Sequence, residues 1–211
     1  GKKGKKGEQP QQPQKPQEEK PSIDRKGLFG VTKVKNEWFF HIADSLIGRD
    51  FLTTTRYTTT PSGSGKFGGE QVNEQTVYFQ LGADDQMLLR ANLIINVADS
   101  TQKISRAIQI SNENPIIGAF KIESHQNGVY KIKVSPFFNQ DNPALGLPQY
   151  VKQSYGLQGM LGDMSYVQDI KSFPMNTEVR MVKTFAAGPN SSLPAAQSTG
   201  KVTLGLNISF I

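Results

Sequence analysis

The stretch that decides the fold is residues 26–60, KGLFGVTKVKNEWFFHIADSLIGRDFLTTTRYTTT. Its first half predicts two short strands joined by a tight turn at Asn36-Glu37. Because side chains alternate along a strand, three apolar residues of the second strand share one face. They are Trp38, Phe40 and Ile42. This face is the predicted seed of the hydrophobic core.

The second half of the stretch predicts a helical turn and a third strand. Asp44 can cap the turn by accepting hydrogen bonds from free amides, and Gly48 can end it because glycine tolerates positive φ. Residues 51–58 are rich in threonine and aromatic side chains, which favours a strand.

Working outward, alternating apolar residues predict six more strands: 75–81, 87–93, 116–122, 129–134, 178–185 and 201–211. The pair Asn127-Gly128 is typical of a type I′ hairpin turn. Helices are predicted at 100–112 and from Asp163 through Ile170, and residues 136–162 are interpreted as a long surface excursion with at most one helical turn. The expected fold is therefore β-rich α+β. It is a mainly antiparallel sheet of about nine strands, a sandwich or partly open barrel, with two or three short helices.

The first twenty residues, GKKGKKGEQPQQPQKPQEEK, differ from the rest. They contain no aromatic or β-branched residue, so they cannot offset their ordering entropy by burial. We predict a disordered arm over residues 1–24 and a single β-rich domain over residues 25–211. Half of the net charge of +6 lies in the first twenty residues, which are interpreted as a spacer. Binding of nucleic acid or anionic lipid by the arm is the alternative, although no sequence pattern of a nucleic-acid module accompanies it.

Several segments carry a family resemblance. They are the stretch already quoted, then GGEQVNEQTVYFQ, LLRANLI, NENPIIGAFKI, DNPALG and DMSYVQDIKSFPMNTEV, in that order. Together they resemble the amino-terminal, non-catalytic part of secreted zinc-dependent metalloproteases from Bacteroidetes, over roughly residues 22–211. The resemblance implies an exported protein, periplasmic or at the cell surface. It also implies that zinc binds an HExxH helix in a later domain, which this chain does not reach.

The residues themselves supply no reactive centre by motif. The chain has no cysteine and two histidines, His41 and His125, which lie in different predicted hairpins. A zinc site would need both to converge with a carboxylate. Gly65-Lys66 lacks the flanking residues of a phosphate-binding loop. We therefore expect no catalytic, metal or cofactor site in this chain, and no apolar run approaches the ~20 residues of a membrane helix.

Contact with a partner or substrate is expected near the glycine-rich loop of residues 59–69. The candidate residues are Arg56, Tyr57, Phe67, Glu70, Tyr78 and Arg90. Each arginine can instead pair with a carboxylate across the sheet. The expected partner is the protein's own carboxy-terminal protease domain. A self-standing module that binds peptide or glycan at the cell surface is the alternative.

Overall fold

The computed structural model describes residues 19–93 and 112–211. Within these ranges the chain forms a mainly antiparallel β structure with three short α-helices. The strands are β1 (Ile23–Arg25), β2 (Gly30–Val34), β3 (Glu37–Ala43), β4 (Asp50–Thr59), β5 (Gln71–Leu81), β6 (Gln86–Ala91), β7 (Ile116–Gln126), β8 (Val129–Lys133), β9 (Leu157–Met160), β10 (Tyr166–Ser172), β11 (Thr177–Ala187) and β12 (Lys201–Phe210). The helices are α1 (Ser135–Phe138), α2 (Gln149–Ser154) and α3 (Pro194–Thr199), with 3₁₀ turns at Asp44–Leu46 and Gly162–Met164.

The strands follow one another in a single curled sheet. Their order is β1-β2-β3-β8-β7-β6-β5-β4-β12-β11-β10, and β9 pairs with β11. Strand β7 makes the corner, because it pairs with β6 along its first half and with β8 along its second. The pairing shifts register on both sides of this corner, which is the usual way for a strand to bend. The result is a curled half-barrel.

The two ends of the curled sheet, at β1 and β10, meet through side-chain contacts and, in the part of the chain that the structure describes, one backbone hydrogen bond. Arg25 Nη1 lies 2.6 Å from Asp169 Oδ1, which links β1 to β10. The Leu28 N–H donates to the Phe173 carbonyl at 2.7 Å. No strand ladder joins β1 or β2 to β10 in the described residues, so these contacts hold the two ends of the half-barrel together.

Phe29 lies at the centre of the core. It comes from the segment between β1 and β2 and is fully buried. Its ring centroid lies 5.2 to 5.7 Å from four other phenylalanines, Phe40, Phe51, Phe79 and Phe210. Three of these contacts are edge-to-face, the arrangement that aromatic quadrupoles favour. One side chain therefore joins β3 to three adjacent strands, β4, β5 and β12, across the interior of the half-barrel.

The quoted stretch folds largely as predicted. Trp38, Phe40 and Ile42 are all buried, which confirms the core face. Gly48 has φ of +76° after the 3₁₀ turn. The first hairpin turn lies one residue earlier than predicted, because Val34 pairs with Glu37.

The predicted type I′ turn between β7 and β8 is confirmed. Asn127 and Gly128 have φ of 53° and 73°, so both central residues adopt the positive φ that this turn requires. The predicted helix at 100–112 lies outside the described residues, apart from its last residue.

Over residues 19–93 and 112–211 the sheet has twelve strands instead of the predicted nine or so. The predicted helix from Asp163 through Ile170 is wrong. That segment forms a 3₁₀ turn and strand β10. A bulge between Val167 and Asp169 adds one residue to the strand, so Val167 and Ile170 both point toward the core three positions apart. This spacing imitates a helix and hides the alternation.

The other missed elements are short. Strands β1 and β9 have three and four residues, and β9 lies in the Pro- and Gly-rich excursion together with α1 and α2. The predicted start of the folded domain, after residue 24, falls within β1.

We predict that Phe29→Ala lowers the free energy of unfolding by about 3–5 kcal/mol, since it removes a buried ring and leaves a cavity between four strands. Urea denaturation of both proteins measures this difference. The control is Phe67→Ala, whose ring is 67% exposed and whose loss should cost less than about 0.5 kcal/mol. Equal effects of the two substitutions would contradict the central role of Phe29.

Candidate functional site

The loop between β4 and β5 brings together four of the six predicted contact residues: Arg56, Tyr57, Phe67 and Glu70. The Arg56 guanidinium donates to the Gly69 carbonyl at 3.0 Å and to Gln71 Oε1 at 3.3 Å. It therefore holds the base of the loop.

The loop also contains an exposed ion pair. Lys66 Nζ donates to Glu70 Oε1 at 2.7 Å, and this hydrogen bond raises the pKa of Lys66. Phe67, beside this pair, is 67% exposed. The loop thus presents one aromatic ring and one ion pair to solvent.

Tyr57 lies inside the protein, which removes it from the exposed contact set. Its side chain is buried, and its hydroxyl lies 3.1 Å from the Tyr155 hydroxyl. Burial, followed by the bond to Tyr155, raises the pKa of Tyr57 far above its usual range. The two tyrosines therefore link β4 to the segment that follows α2.

A groove next to the loop adds Tyr150, which the sequence did not single out. Tyr150 on α2 is 69% exposed and borders the groove together with Gln149 and the start of β5. The Asn73 amide fixes the far wall by donating to three backbone carbonyls, at 2.8 to 3.1 Å, those of Pro143, Ala144 and Gly146. Asn73 and Tyr150 are far apart in sequence, so no local pattern relates them.

Tyr78 and Arg90 form a separate group further along β5. They lie opposite each other on β5 and β6, about 24 Å from Gln71 by strand length. Arg90 donates to Gln80 Oε1 at 2.7 Å and to the Asn114 carbonyl at 2.5 Å. The Asn114 amide in turn donates to the Tyr78 hydroxyl at 3.3 Å. These contacts favour the structural role that was considered for Arg90.

The two histidines have different partners. His41 Nε2 lies 2.8 Å from Thr32 Oγ1, and burial, followed by the charge of Lys131, lowers the pKa of His41. His125 Nε2 lies 2.8 Å from Asp44 Oδ1, and its ring stacks on Tyr130. Over residues 19–93 and 112–211 no three His, Asp or Glu side chains are grouped as metal ligands.

A buried lysine lies inside the half-barrel and was missed from the sequence. Lys183 on β11 is 4% exposed, and its ammonium donates to the carbonyls of Phe138 and Gln140 just after α1. Burial lowers the pKa of Lys183 to about 8, although Asp141 nearby acts in the opposite direction. The alternation Val179, Met181, Lys183, Phe185 already places this lysine on the apolar face.

The space around Lys183 is too small for a ligand. The space is enclosed by Leu145, Leu147 and the apolar face of β11. The volume in which the centre of a water molecule fits is about 10 Å³. This is room for about one water. Lys183 therefore fastens α1 and the following loop to the barrel interior.

Comparison with known proteins gives a family without a described function. Residues 69–211, more than half of the chain, match the family described as "Domain of unknown function (DUF5117)", and the chain belongs to it. Residues 20–60 match a second family, "Domain of unknown function (DUF5118)". No curated protein and no solved structure matches the chain. None of the described helices has the length and apolar character to cross a membrane.

The lowered pKa of Lys183 predicts a pH dependence of stability. Between about pH 8 and 10.5 the unfolded chain binds a proton that the folded chain has released, so stability should rise with pH in this window. From pH 7.5 to 9.5 the expected gain in the free energy of unfolding is about 2 kcal/mol. Urea denaturation at these pH values measures the gain, and Lys183→Met should remove it. An identical gain in that variant would contradict the assignment.

Proposed function

We propose that this chain is a non-catalytic amino-terminal accessory domain of an exported bacterial zinc metalloprotease, which packs on or gates the protease domain. The resemblance of residues 22–211 to that part of such proteases supports the parent class. The structural observation that carries the packing role is a pair of exposed apolar side chains, Leu52 and Ile211.

Leu52 and Ile211 lie side by side at one end of the sheet. Their backbones exchange two hydrogen bonds, from the Leu52 N–H at 3.1 Å and from the Ile211 N–H at 3.0 Å. Their side chains are 41% and 55% exposed. Apolar groups gain free energy when they leave water, so a rigid exposed pair of this kind suits a protein interface.

The rigidity of this end suits a support. Leu52 belongs to β4, which pairs on both sides, with β12 and with β5. Phe51 and Phe210, the neighbours of the exposed pair, are both buried beside Phe29. A domain docked here would contact a surface that the core holds in place.

A second candidate function is a peptide- or glycan-binding module at the cell surface. It is favoured by two exposed aromatic rings, that of Tyr150, which borders the groove, and that of Phe67 in the β4–β5 loop. Tyr57 and Tyr78, which were grouped with Phe67 from the sequence, do not take part, since one is buried and the other lies in the Arg90 group.

The accessory role predicts that the chain alone has no proteolytic activity and retains no zinc after dialysis. Both are measured directly, by digestion of a general protein substrate and by metal analysis of the purified chain. Chelator-sensitive proteolysis by this chain would contradict the proposal, as would a gene that encodes no HExxH helix after this segment.

In the full-length protein, Leu52→Asp should loosen the contact between the domains, because it places a charge in an apolar interface. We expect faster hydrogen exchange at the ends of β4 and β12 and easier proteolytic separation of the two domains. Met175→Asp is the matched control, since Met175 is 76% exposed and lies in the turn between β10 and β11. If both variants exchange like the parent protein, Leu52 does not contact the protease domain.

A further inference from the structure

A shallow groove of about 410 Å³ lies on the outer face of β10, β11 and β12. We name it the outer-face site, and six of its residues carry the argument: Asp169, Lys171, Phe173, Glu178, Arg180 and Asn207. None of them was singled out from the sequence. Five present polar or charged groups, and the sixth is an aromatic ring that is 46% exposed.

The sheet holds these side chains in rows. Asp169 on β10 lies opposite Arg180 on β11, and Arg180 lies opposite Asn207 on β12. Lys171 lies opposite Glu178 in the next row. Neighbouring strands are about 4.8 Å apart, so donors and acceptors recur at a fixed spacing across the groove. Sites on strands keep their geometry better than sites on loops.

The two carboxylates are oriented before any ligand arrives. Glu178 accepts hydrogen bonds from Asn176 and Asn207 at 2.5 Å and from Ser209 at 2.6 Å. Asp169 accepts from Arg25 at 2.6 Å. Glu178 Oε1 already accepts two of these bonds, but Glu178 Oε2 accepts only the one from Asn207 and can take a further bond from a ligand hydroxyl, as can the Asp169 carboxylate. Because these side chains are already held in place, little conformational entropy is lost when a ligand binds them.

The outer-face site presents charges of both signs. Lys171 and Arg180 contribute two positive charges, Asp169 and Glu178 contribute two negative charges, and Arg25 at the edge of the site pairs with Asp169. A polyanion such as nucleic acid, or an anionic membrane, would meet both carboxylates at this surface. A neutral ligand with many hydroxyl groups can use the donors and acceptors alike.

Phe173 supplies the apolar part of the site. Its exposed ring adjoins the polar rows, and the C–H face of a pyranose ring can pack on such a ring while its hydroxyls reach the charged side chains. A few placed polar groups beside an apolar surface are the common composition of a ligand site. Within the groove the backbone of β11 and the adjoining part of β12 is paired on both sides, so an extended peptide could gain backbone hydrogen bonds only at the outer edge of β10, away from Asn207.

We propose that the outer-face site binds a neutral oligosaccharide. The sugar packs on Phe173, and its hydroxyls bind Glu178, Asn207 and Arg180. This inference does not depend on the association with a protease domain, and it concerns a different surface from the groove beside Tyr150.

Affinity electrophoresis of the purified protein in gels that contain a neutral polysaccharide tests the proposal. The panel is soluble β-glucan, starch, galactomannan and arabinoxylan, with heparin and DNA as polyanions. We expect retardation by at least one neutral polymer and at least a ten-fold loss of affinity in Phe173→Ala. Phe67→Ala is the matched control, because it also removes an exposed ring but from the other candidate surface. This variant should bind like the parent protein.

A second variant and a salt series keep the test decisive. Arg180→Gln should weaken binding at least three-fold without removing the ring. Binding should change less than two-fold between 50 and 500 mM salt, whereas polyanion binding would fall steeply. The proposal is overturned if no neutral polymer retards the protein, if both variants bind like the parent, or if only heparin or DNA binds.

Discussion

The packing of Phe29 is the contact on which the rest of the structure depends. A curled sheet that ends without a closing ladder needs other contacts to hold it together. Phe29 supplies them by packing on Phe40 of β3 and, across the interior, on Phe51, Phe79 and Phe210 of the adjacent strands β4, β5 and β12. The segment that carries it is also tied to β11, since the Phe29 N–H donates to Thr177 Oγ1 at 3.2 Å. Buried aromatic area and one buried hydrogen bond thus replace a strand ladder.

This closure unites two regions that match separate families. Phe29, Phe40 and Phe51 lie within the region of the DUF5118 match, and Phe79 and Phe210 lie within the DUF5117 match. All belong to one hydrophobic cluster. The closure also fixes the surfaces considered for function: the ends of β4 and β12 carry the exposed apolar pair, and β10 to β12 present the outer-face site. Each of these surfaces is formed by residues from several strands that the fold brings together. No single sequence motif therefore marks them.

The sequence was most informative where one face of a strand is buried and the alternation of apolar residues is unbroken, as in β12. It was misleading where a bulge shifts the alternation, because Val167 and Ile170 then imitate the spacing of a helix. The contact residues were harder to predict. Arg56, Phe67 and Glu70 could be grouped from their nearness to a glycine-rich loop, but the position of Tyr57 inside depends on Tyr155, a residue far along the chain. Lys183 and the rows of the outer-face site need the strand register, which local patterns do not supply.

The central claim is that the two matched regions form one cooperative unit around Phe29. Trp38, the only tryptophan, reports on the first region by fluorescence, and hydrogen exchange of peptides from β11 and β12 reports on the second. Followed together through a urea titration, the two signals should change at the same urea concentration, as a two-state unit requires. Loss of the Trp38 signal at a lower concentration, with β11 and β12 still protected, would contradict the claim.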